Sequence, residues 1–354
     1  MIDFRSRETH LLLNPRMPAE ERAQLEELSR AASLEGHVWI ATSGTTGALK
    51  LTALSKDALL ASAAAVNRHL EATADDAWCC VLPTFHVGGL GIHARALLAG
   101  SRVVSIDWEA RHFADVCAAE SIAFSALVPA QVSDLVRERL AAPRSLRAIV
   151  VGGGALADAL FDEARALGWP LLRSYGMTEC GSQVATASYG SDDLQVLSHL
   201  EVRTVDDGRL AIRGASLLTG YALFEGGVAR FVDPKVDGWF VSEDLGAVEG
   251  RVLRVEGRRG EFVKIGGESV DLKRLDRILD EVLRTTGGDA AVFAVPDERL
   301  GFVIHLAATR DGVAEAFAAR VLPFELPRAV HRVDGIPRSP LGKLLRARLA
   351  AELR

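Results

Sequence analysis

A run of glycines and hydroxyl residues follows the apolar stretch that ends at Ala41. Glycine permits close approach of the backbone, so the N–H groups and hydroxyls of such a run can surround phosphate oxygens, and Lys50 adds a positive charge. Two residues separate Gly47 from Lys50, which excludes a Walker A motif, where glycine, lysine and serine or threonine are contiguous. A polar turn between a strand and a helix is the alternative for such a run taken alone. The pattern favours a phosphate-binding loop made of Thr42, Ser43, Gly44, Thr45, Thr46, Gly47 and Lys50.

Further stretches along the chain combine glycines with hydroxyl and charged residues in short runs. They are Gly152-Gly153-Gly154-Ala155, Tyr175-Gly176-Met177-Thr178-Glu179, the run from Gly238 to Asp244, the run from Gly257-Arg258 to Glu268, and the run from Pro337 to Lys343. Together with the loop, and in this order, they resemble the signature motifs of the adenylate-forming superfamily, which comprises acyl-CoA synthetases, luciferases and peptide-synthetase adenylation domains. One such motif is a weak signal, but an ordered series from Thr42 to Lys343 is specific.

The resemblance implies two half-reactions with anionic centres. A carboxylate first attacks the α-phosphate of ATP to give an acyl-adenylate, and a thiol then displaces AMP. Catalysis of this kind is mostly positioning and neutralisation of charge. The roles that the resemblance implies are the following: β- and γ-phosphate binding for the loop, α-phosphate contact for Thr178, Mg²⁺ binding for Glu179, an adenine pocket for Gly152, Gly153, Gly154, Ala155, Tyr175 and Gly176, ribose binding for Asp244 with Arg258 nearby, transition-state contact for Lys343, CoA binding for Lys264, Gly266, Gly267 and Glu268, and a hinge at Gly260.

Two stretches bear on the acid that is activated. Residues 82–92, Leu-Pro-Thr-Phe-His-Val-Gly-Gly-Leu-Gly-Ile, and residues 175–186 look most like the o-succinylbenzoate-CoA ligases of menaquinone biosynthesis. That acid has a benzoyl ring and a second carboxylate, so its pocket needs apolar walls and cationic or hydroxyl groups. The candidates for this pocket are His86, Ser182, Thr186 and Arg95.

Several of these residues have a competing interpretation. His86 is a candidate for catalysis as well as for substrate binding, and it could equally be a gate or packing residue beside Phe85. Arg95 could be a solvated helix residue. For the whole chain, the rival functions are another aryl- or acyl-CoA ligase, a stand-alone adenylation enzyme that loads a carrier protein, and a non-catalytic nucleotide-binding protein.

The elements around these motifs predict an α/β fold. Short β-branched runs alternate with Ala/Leu-rich helical runs from His37 to Leu167, which indicates βαβ crossovers and a largely parallel sheet. From Leu200 short strands separated by Asp-Gly and Gly-Arg turns predict a small antiparallel sheet or barrel. The predicted domains are residues 1–256, a large ATP- and acid-binding domain that the resemblance implies is shortened at its N-terminus, and residues 257–354, a small mobile α+β domain that carries Lys343.

Composition limits the class of protein. No apolar run approaches the roughly 18 residues of a membrane span, and the start has no apolar stretch behind a basic head, so we expect a cytoplasmic protein. The net charge of −6 argues against a nucleic-acid partner. The four cysteines have no metal-ligand spacing and are expected to be reduced thiols in or near the core. The expected partners are a small carboxylic acid, ATP and CoA, with self-association possible.

Overall fold

A computed structural model gives the structure of the protein, and it describes residues 2–43, 49–154, 156–258, 262–337 and 344–353. The helices in these ranges are α1 Ala19–Leu28, α2 Lys56–Leu70, α3 Val87–Ala99, α4 Ala110–Ala119, α5 Pro129–Arg137, α6 Asp158–Ala166, α7 Leu272–Thr286, α8 Val313–Ala318 and α9 Arg346–Glu352, with 3-10 turns at Thr178–Cys180 and Pro323–Glu325. The strands are β1 His10–Leu12, β2 His37–Ser43, β3 Leu49–Ser55, β4 Ala77–Cys80, β5 Val103–Ser105, β6 Ile122–Leu127, β7 Ala148–Val151, β8 Leu171–Met177, β9 Ser182–Ala187, β10 Leu194–Val196, β11 Leu200–Thr204, β12 Arg209–Gly214, β13 Gly220–Glu225, β14 Val228–Val232, β15 Phe240–Glu249, β16 Val252–Arg258, β17 Phe262–Ile265, β18 Glu268–Asp271, β19 Ala290–Asp297, β20 Gly301–Ala308 and β21 Ala329–Arg332.

The chain divides into two compact units. The described residues of 1–42 and 49–260 belong to the first unit, and those of 261–354 belong to the second. The functional domains predicted at residues 1–256 and 257–354 stay a prediction, since compactness alone does not assign a role to either part.

The parallel half of the main sheet of the first unit confirms the predicted βαβ alternation. Strands β5, β4, β6, β7 and β8 lie side by side in that order and run parallel. Successive side chains of a strand point to opposite faces, and along β4 Trp78 and Cys80 pack into one hydrophobic cluster while Cys79 packs into another. Helices α2 and α3 contribute to the first cluster, and α4 to α6 to the second. Helices therefore cover both faces of these strands.

The helices begin and end at residues whose types explain their bounds. Ser55 caps α2, its hydroxyl accepting a hydrogen bond from the Ala58 N–H at 3.0 Å. Gly100 ends α3 in the left-handed conformation at φ 74°, which glycine adopts without strain. Helix α3 therefore has a defined C-terminal end, which matters because it carries Arg95.

The antiparallel strands β11, β12, β15 and β16 do not form the separate small sheet that was predicted. They extend the parallel strands into one sheet of the order β11-β12-β15-β16-β10-β9-β8-β7-β6-β4-β5. The connection depends on β9 and on the three-residue strand β10, which pairs with β9 on one side and with β16 on the other. Neither strand was predicted, and this is why the two halves were expected to be separate.

A second sheet of the first unit brings together distant parts of the chain. Its order is β1-β2-β3-β13-β14, with β3 and β13 antiparallel, so that Tyr221 pairs with Thr52 and Leu223 pairs with Lys50. Strand β3, which follows the predicted phosphate loop, is thereby placed beside residues far along the sequence.

The second unit has its own sheet and core. Strands β18, β17, β20 and β19 follow in order, β21 pairs with β20, and α7 and α8 share a core cluster with them. Gly266 and Gly267, both at positive φ, form the tight turn between β17 and β18. The last helix, predicted from Leu341, begins at Arg346 within the described residues.

Two expectations from composition can be compared with the structure. Cys79, Cys80, Cys117 and Cys180 are free and buried, as predicted. Within the described ranges, no helix is both long enough and apolar enough to span a membrane.

Candidate active site

The segment from β8 to β9 supplies the centre of the site. Strand β8 pairs in parallel with β7 and antiparallel with β9, so the sheet changes direction at this strand. Ligands of parallel α/β sheets bind beyond the carboxyl ends of the strands, and β8 ends at Met177, immediately before the 3-10 turn that carries Glu179. Gly176 is required for this geometry, because a Cβ on it would lie 2.1 Å from the Ser182 carbonyl oxygen.

The predicted adenine and ribose residues meet through one hydrogen bond. The hydroxyl of Tyr175 donates to Asp244 Oδ2 at 2.7 Å, and the Asp244 N–H donates to Ser242 Oγ at 3.1 Å. Burial and the charge of Asp244 raise the pKa of Tyr175 well above its ordinary value, so the phenol stays protonated and remains a donor. In the β15–β16 ladder Arg258 pairs with Asp244, which places the two predicted ribose residues side by side along the backbone.

Lys50, Glu179 and Tyr221 form a compact polar cluster. Lys50 Nζ lies 3.6 Å from Glu179 Oε1 and 3.7 Å from the centre of the Tyr221 ring. The Tyr221 hydroxyl donates to the same Glu179 oxygen at 2.8 Å. The Lys50 and Glu179 side chains are only 12% and 16% exposed, so their charges interact with little screening by water. The predicted phosphate lysine and the predicted metal ligand are therefore neighbours.

The remaining nucleotide candidates lie at strand ends. Thr42 is the next-to-last residue of β2, and its hydroxyl is hydrogen-bonded to Thr52 Oγ1 at 3.1 Å. Gly152 follows β7 and donates its N–H to the Leu127 carbonyl, while Gly153 has a φ of 80°. Thr178 begins the 3-10 turn that carries Glu179.

Arg95 is a buried cation, which excludes the solvated helix residue considered above. The residue is 1% exposed, and its Nη2 donates to Ser182 Oγ at 3.2 Å. Its Nε and Nη1 have no hydrogen-bond partner among the described residues. Burial lowers the pKa of the guanidinium to about 10, so it is still charged at neutral pH. Gly91, one helical turn before Arg95, leaves room beside the guanidinium, because a Cβ there would lie 3.1 Å from Nη2.

The other two acid-pocket candidates have different surroundings. His86 precedes the first turn of α3, and its ring lies 4.6 Å from that of Phe85, the contact expected of a gate or packing residue. Thr186 is fully buried and hydrogen-bonded to Ser174 and Gln183. A hydroxyl held in this way is already engaged with protein groups and is not a free donor for a ligand.

The predicted CoA residues lie on one hairpin of the second unit. Lys264 pairs with Ser269 and Glu268 pairs with Ile265 across the Gly266-Gly267 turn. Several predicted residues lie outside the described ranges, namely Gly44, Thr45, Thr46, Gly47, Ala155, Gly260 and Lys343, and the side chains of Ser43 and Arg258 are likewise not described.

Sequence reasoning missed Tyr221 and Ser242. Ser242 could have been found, because serine two residues before an aspartate often binds the backbone locally. Tyr221 is the second residue of the short strand β13 and belongs to none of the motifs. Only the pairing of β13 with β3 brings it to Lys50.

The described residues form a polar, partly buried site beyond the carboxyl end of β8 in a mixed α/β sheet, and the comparisons with known proteins give the class of protein. A family model described as AMP-binding enzyme matches residues 9–222, more than half of the chain. The chain belongs to this family of AMP-binding enzymes.

Comparison with individual proteins shows which members of the family this chain is similar to. The chain is 33% identical over 336 residues to a protein of Mycobacterium tuberculosis (strain CDC 1551 / Oshkosh) named probable 2-succinylbenzoate--CoA ligase, covering 88% of this chain and 82% of that protein. The fold is similar to o-succinylbenzoate CoA synthetase (MenE) from Bacillus subtilis bound with its product analogue OSB-NCoA, with a TM-score of 0.84, 23% identity and coverage of 97% and 83% of the two chains. The same synthetase in complex with ATP and magnesium ion gives a TM-score of 0.65, 22% identity and coverage of 96% and 83%. The predicted adenylate-forming α/β fold is therefore confirmed.

Proposed function

We propose that this protein is an ATP- and Mg²⁺-dependent acid-CoA ligase whose acid is o-succinylbenzoate. The observation that carries the choice of acid is Arg95, a buried guanidinium beside Ser182 whose nitrogens Nε and Nη1 have no hydrogen-bond partner within the described chain. A buried charge without a partner is costly, and a carboxylate that accepts its hydrogen bonds removes that cost. The second carboxylate of a dicarboxylic acid is such a partner. The 33% identity to a protein named probable 2-succinylbenzoate--CoA ligase supports the same acid.

The reaction has two balanced steps. A carboxylate oxygen of the acid attacks the α-phosphorus of ATP, the bond to pyrophosphate breaks, and the acyl-adenylate forms. The sulfur of CoA then attacks the acyl carbon, the thiol proton leaves, and AMP departs with the electron pair of the broken C–O bond. In the first step Lys50 neutralises charge on the phosphates, and Thr178 contacts the α-phosphate. Asp244, held by the Tyr175 hydroxyl, keeps its remaining acceptor positions for the ribose hydroxyls.

Glu179 is suited to hold the metal. Its carboxylate is partly buried beside the phosphate lysine, and a carboxylate oxygen is a ligand that Mg²⁺ prefers together with phosphate oxygens. When bound, Mg²⁺ supplies positive charge to the phosphate groups. The protein's part is to hold the Glu179 carboxylate in place, through the Tyr221 hydroxyl and the Leu218 N–H that binds the Glu179 carbonyl at 2.8 Å.

Other parts of the assignment stay predictions from the sequence. They are adenylation by Lys343, CoA binding by the Lys264–Glu268 hairpin, the hinge at Gly260, a cytoplasmic location and self-association. The principal alternative is that the thiol of a carrier protein, in place of CoA, accepts the acyl group. The experiment below distinguishes these two acceptors.

The function is tested with purified protein and a panel of acids. We expect pyrophosphate release with o-succinylbenzoate, and CoA-ester formation when CoA is added, at a higher kcat/KM than with benzoate or a medium-chain fatty acid. A higher kcat/KM with benzoate or the fatty acid would show that o-succinylbenzoate is not the preferred acid. It would not affect the membership of the chain in the family. Acyl-adenylate formation without transfer to CoA would favour the carrier-protein alternative.

Replacement of Arg95 tests the choice of acid separately from folding. Arg95→Met removes an unpaired buried charge and fills similar space, so we expect an unchanged or higher Tm. The kcat/KM for o-succinylbenzoate should fall by about 10²-fold, the value of a charged hydrogen-bonded contact, while that for benzoate changes little. Replacement of the exposed Arg139 by Met serves as control. Equal losses for both acids would contradict the assignment of Arg95.

A further inference from the structure

Tyr221 contacts both Lys50 and Glu179 in the described site. Its ring centre lies 3.7 Å from Lys50 Nζ, and its hydroxyl donates to Glu179 Oε1 at 2.8 Å. Tyr221 itself is only 9% exposed. One side chain thus contacts the residue proposed for phosphate and the residue proposed for the metal, through two different parts of the same ring.

The strand register makes this contact a property of the fold. In the antiparallel pair of β3 and β13, Tyr221 is opposite Thr52 and Leu223 is opposite Lys50. Lys50 and Tyr221 are therefore diagonal neighbours on one face, a separation that long and aromatic side chains can bridge. The chain that enters β13 also binds the backbone of Glu179, since the Leu218 N–H donates to the Glu179 carbonyl. The positions of all three residues are coupled.

The two contacts have different chemistry. An ammonium above an aromatic ring is attracted to the negative face of the ring, but the ring accepts no ordinary hydrogen bond from it. Lys50 can therefore exchange Glu179 for a phosphate oxygen without leaving Tyr221. The hydroxyl, in contrast, is a directional donor to a carboxylate and fixes the direction in which that carboxylate points.

We propose that Tyr221 is a positioning residue for both ligands of the site: its ring holds Lys50 for the nucleotide phosphates, and its hydroxyl orients Glu179 for the divalent cation. The inference rests on the proposed function, in which Lys50 and Glu179 take these roles. Measuring nucleotide binding directly involves neither the acid nor the thiol. It therefore distinguishes a failure of the inference about Tyr221 from a failure of the proposed function.

The test is calorimetric titration of the full chain with ATP over a series of Mg²⁺ concentrations. Tyr221→Phe keeps the ring and loses the hydroxyl, so the Mg²⁺ concentration that half-saturates the enhancement of ATP binding should rise about tenfold. Tyr221→Leu also loses the ring, so ATP binding without Mg²⁺ should weaken by about a further tenfold. Tyr189→Phe removes a hydroxyl that binds the Leu70 carbonyl, and this matched control should change neither quantity.

A double-mutant cycle separates positioning from general support of the fold. If the hydroxyl acts through Glu179, Tyr221→Phe should have little further effect on Mg²⁺ dependence in a Glu179→Gln background. An undiminished effect in that background, or an unchanged Mg²⁺ dependence in Tyr221→Phe alone, would overturn the proposal. Wild-type protein that fails to bind ATP at any Mg²⁺ concentration would overturn the proposed function as well. Comparable Tm values for Tyr221→Phe and wild type establish that binding is compared between folded proteins.

Discussion

His199 lies between β10 and β11, and both nitrogens of its ring are buried. Neither ring nitrogen has a hydrogen-bond partner within the described chain. Burial, and to a smaller extent the charge of Arg68, lower the pKa of His199 to about 4. The folded protein therefore keeps this side chain neutral at pH values where an exposed histidine carries a proton.

This difference predicts a loss of stability in acid. The unfolded chain takes up a proton on His199 below about pH 6.5, whereas the folded chain does so only near pH 4, so acid favours the unfolded state between these values. Above pH 6.5 the residue has no such effect. Tm measured from pH 8 to pH 4.5 should fall less steeply for His199→Asn than for wild type. His112→Asn, at an exposed position, should follow the wild-type curve, and parallel curves for all three proteins would refute the effect.

The residues that sequence motifs could identify are those whose chemistry is local. Lys50, Glu179 and Asp244 each occupy a charged position within a short motif, and the structure places Lys50 beside Glu179 as that interpretation requires. The burial of Arg95 was not predictable in the same way, because it depends on α3 packing against β9 and on the room left by Gly91. Tyr221 required knowledge of a pairing between remote strands.

At the scale of elements, α9 is fixed to the second unit by its first residue. Arg346 donates through Nε to the Val292 carbonyl at 3.0 Å and through Nη2 to Asp276 of α7. The Leu345 N–H also donates to the Pro337 carbonyl at 3.0 Å. The first residue of α9 and the residue before it are thus held by charge and by the backbone together.

Removal of the anchor should loosen α9. Asp276→Asn keeps the shape of the side chain and removes its charge, so we expect a loss of about 1 to 2 kcal/mol in local stability, reduced from the buried value because Asp276 is partly exposed. Hydrogen exchange of the α9 amides should then be faster. Glu352→Gln breaks an exposed pair with Arg348 on the same helix and should leave exchange unchanged. Equal acceleration in both variants would mean that helix propensity, not the anchor, governs α9.

Element prediction succeeded where periodicity was strong and failed where strands were short. The bounds of strands β4, β6 and β7 agree with their predicted positions to within about two residues, because each strand is a continuous buried run. Strand β10 is three residues long and gives no periodic signal, yet it joins the antiparallel strands to the parallel ones. A local pattern cannot reveal a sheet whose continuity depends on such a piece.

At the scale of the whole molecule, each compact unit has hydrophobic clusters of its own. In the second unit one cluster is centred on residues such as Leu275, Leu306 and Phe317, and another on Phe293 and Leu349. A separate core is what allows a domain to fold by itself.

Residues 262–354 expressed alone should therefore fold. We expect a dispersed NMR spectrum and a cooperative thermal transition. Phe317→Asp, which places a charge at a fully buried position, should abolish both features. Leu326→Asp, at a position that is 44% exposed, should retain them. An isolated fragment without a cooperative transition would show that this core needs the rest of the chain.

The pairing of β3 with β13 has a consequence for synthesis on the ribosome. Strand β3 ends at Ser55, but its partner β13 begins only at Gly220. One edge of β3 is therefore unpaired while the intervening residues are translated. An unpaired strand edge on a nascent chain is a template for association with other chains. The parallel strands, whose partners follow at short distances, can assemble earlier. Chaperone occupancy on translating ribosomes should consequently peak before residue 232 emerges and decline once β13 and β14 are available.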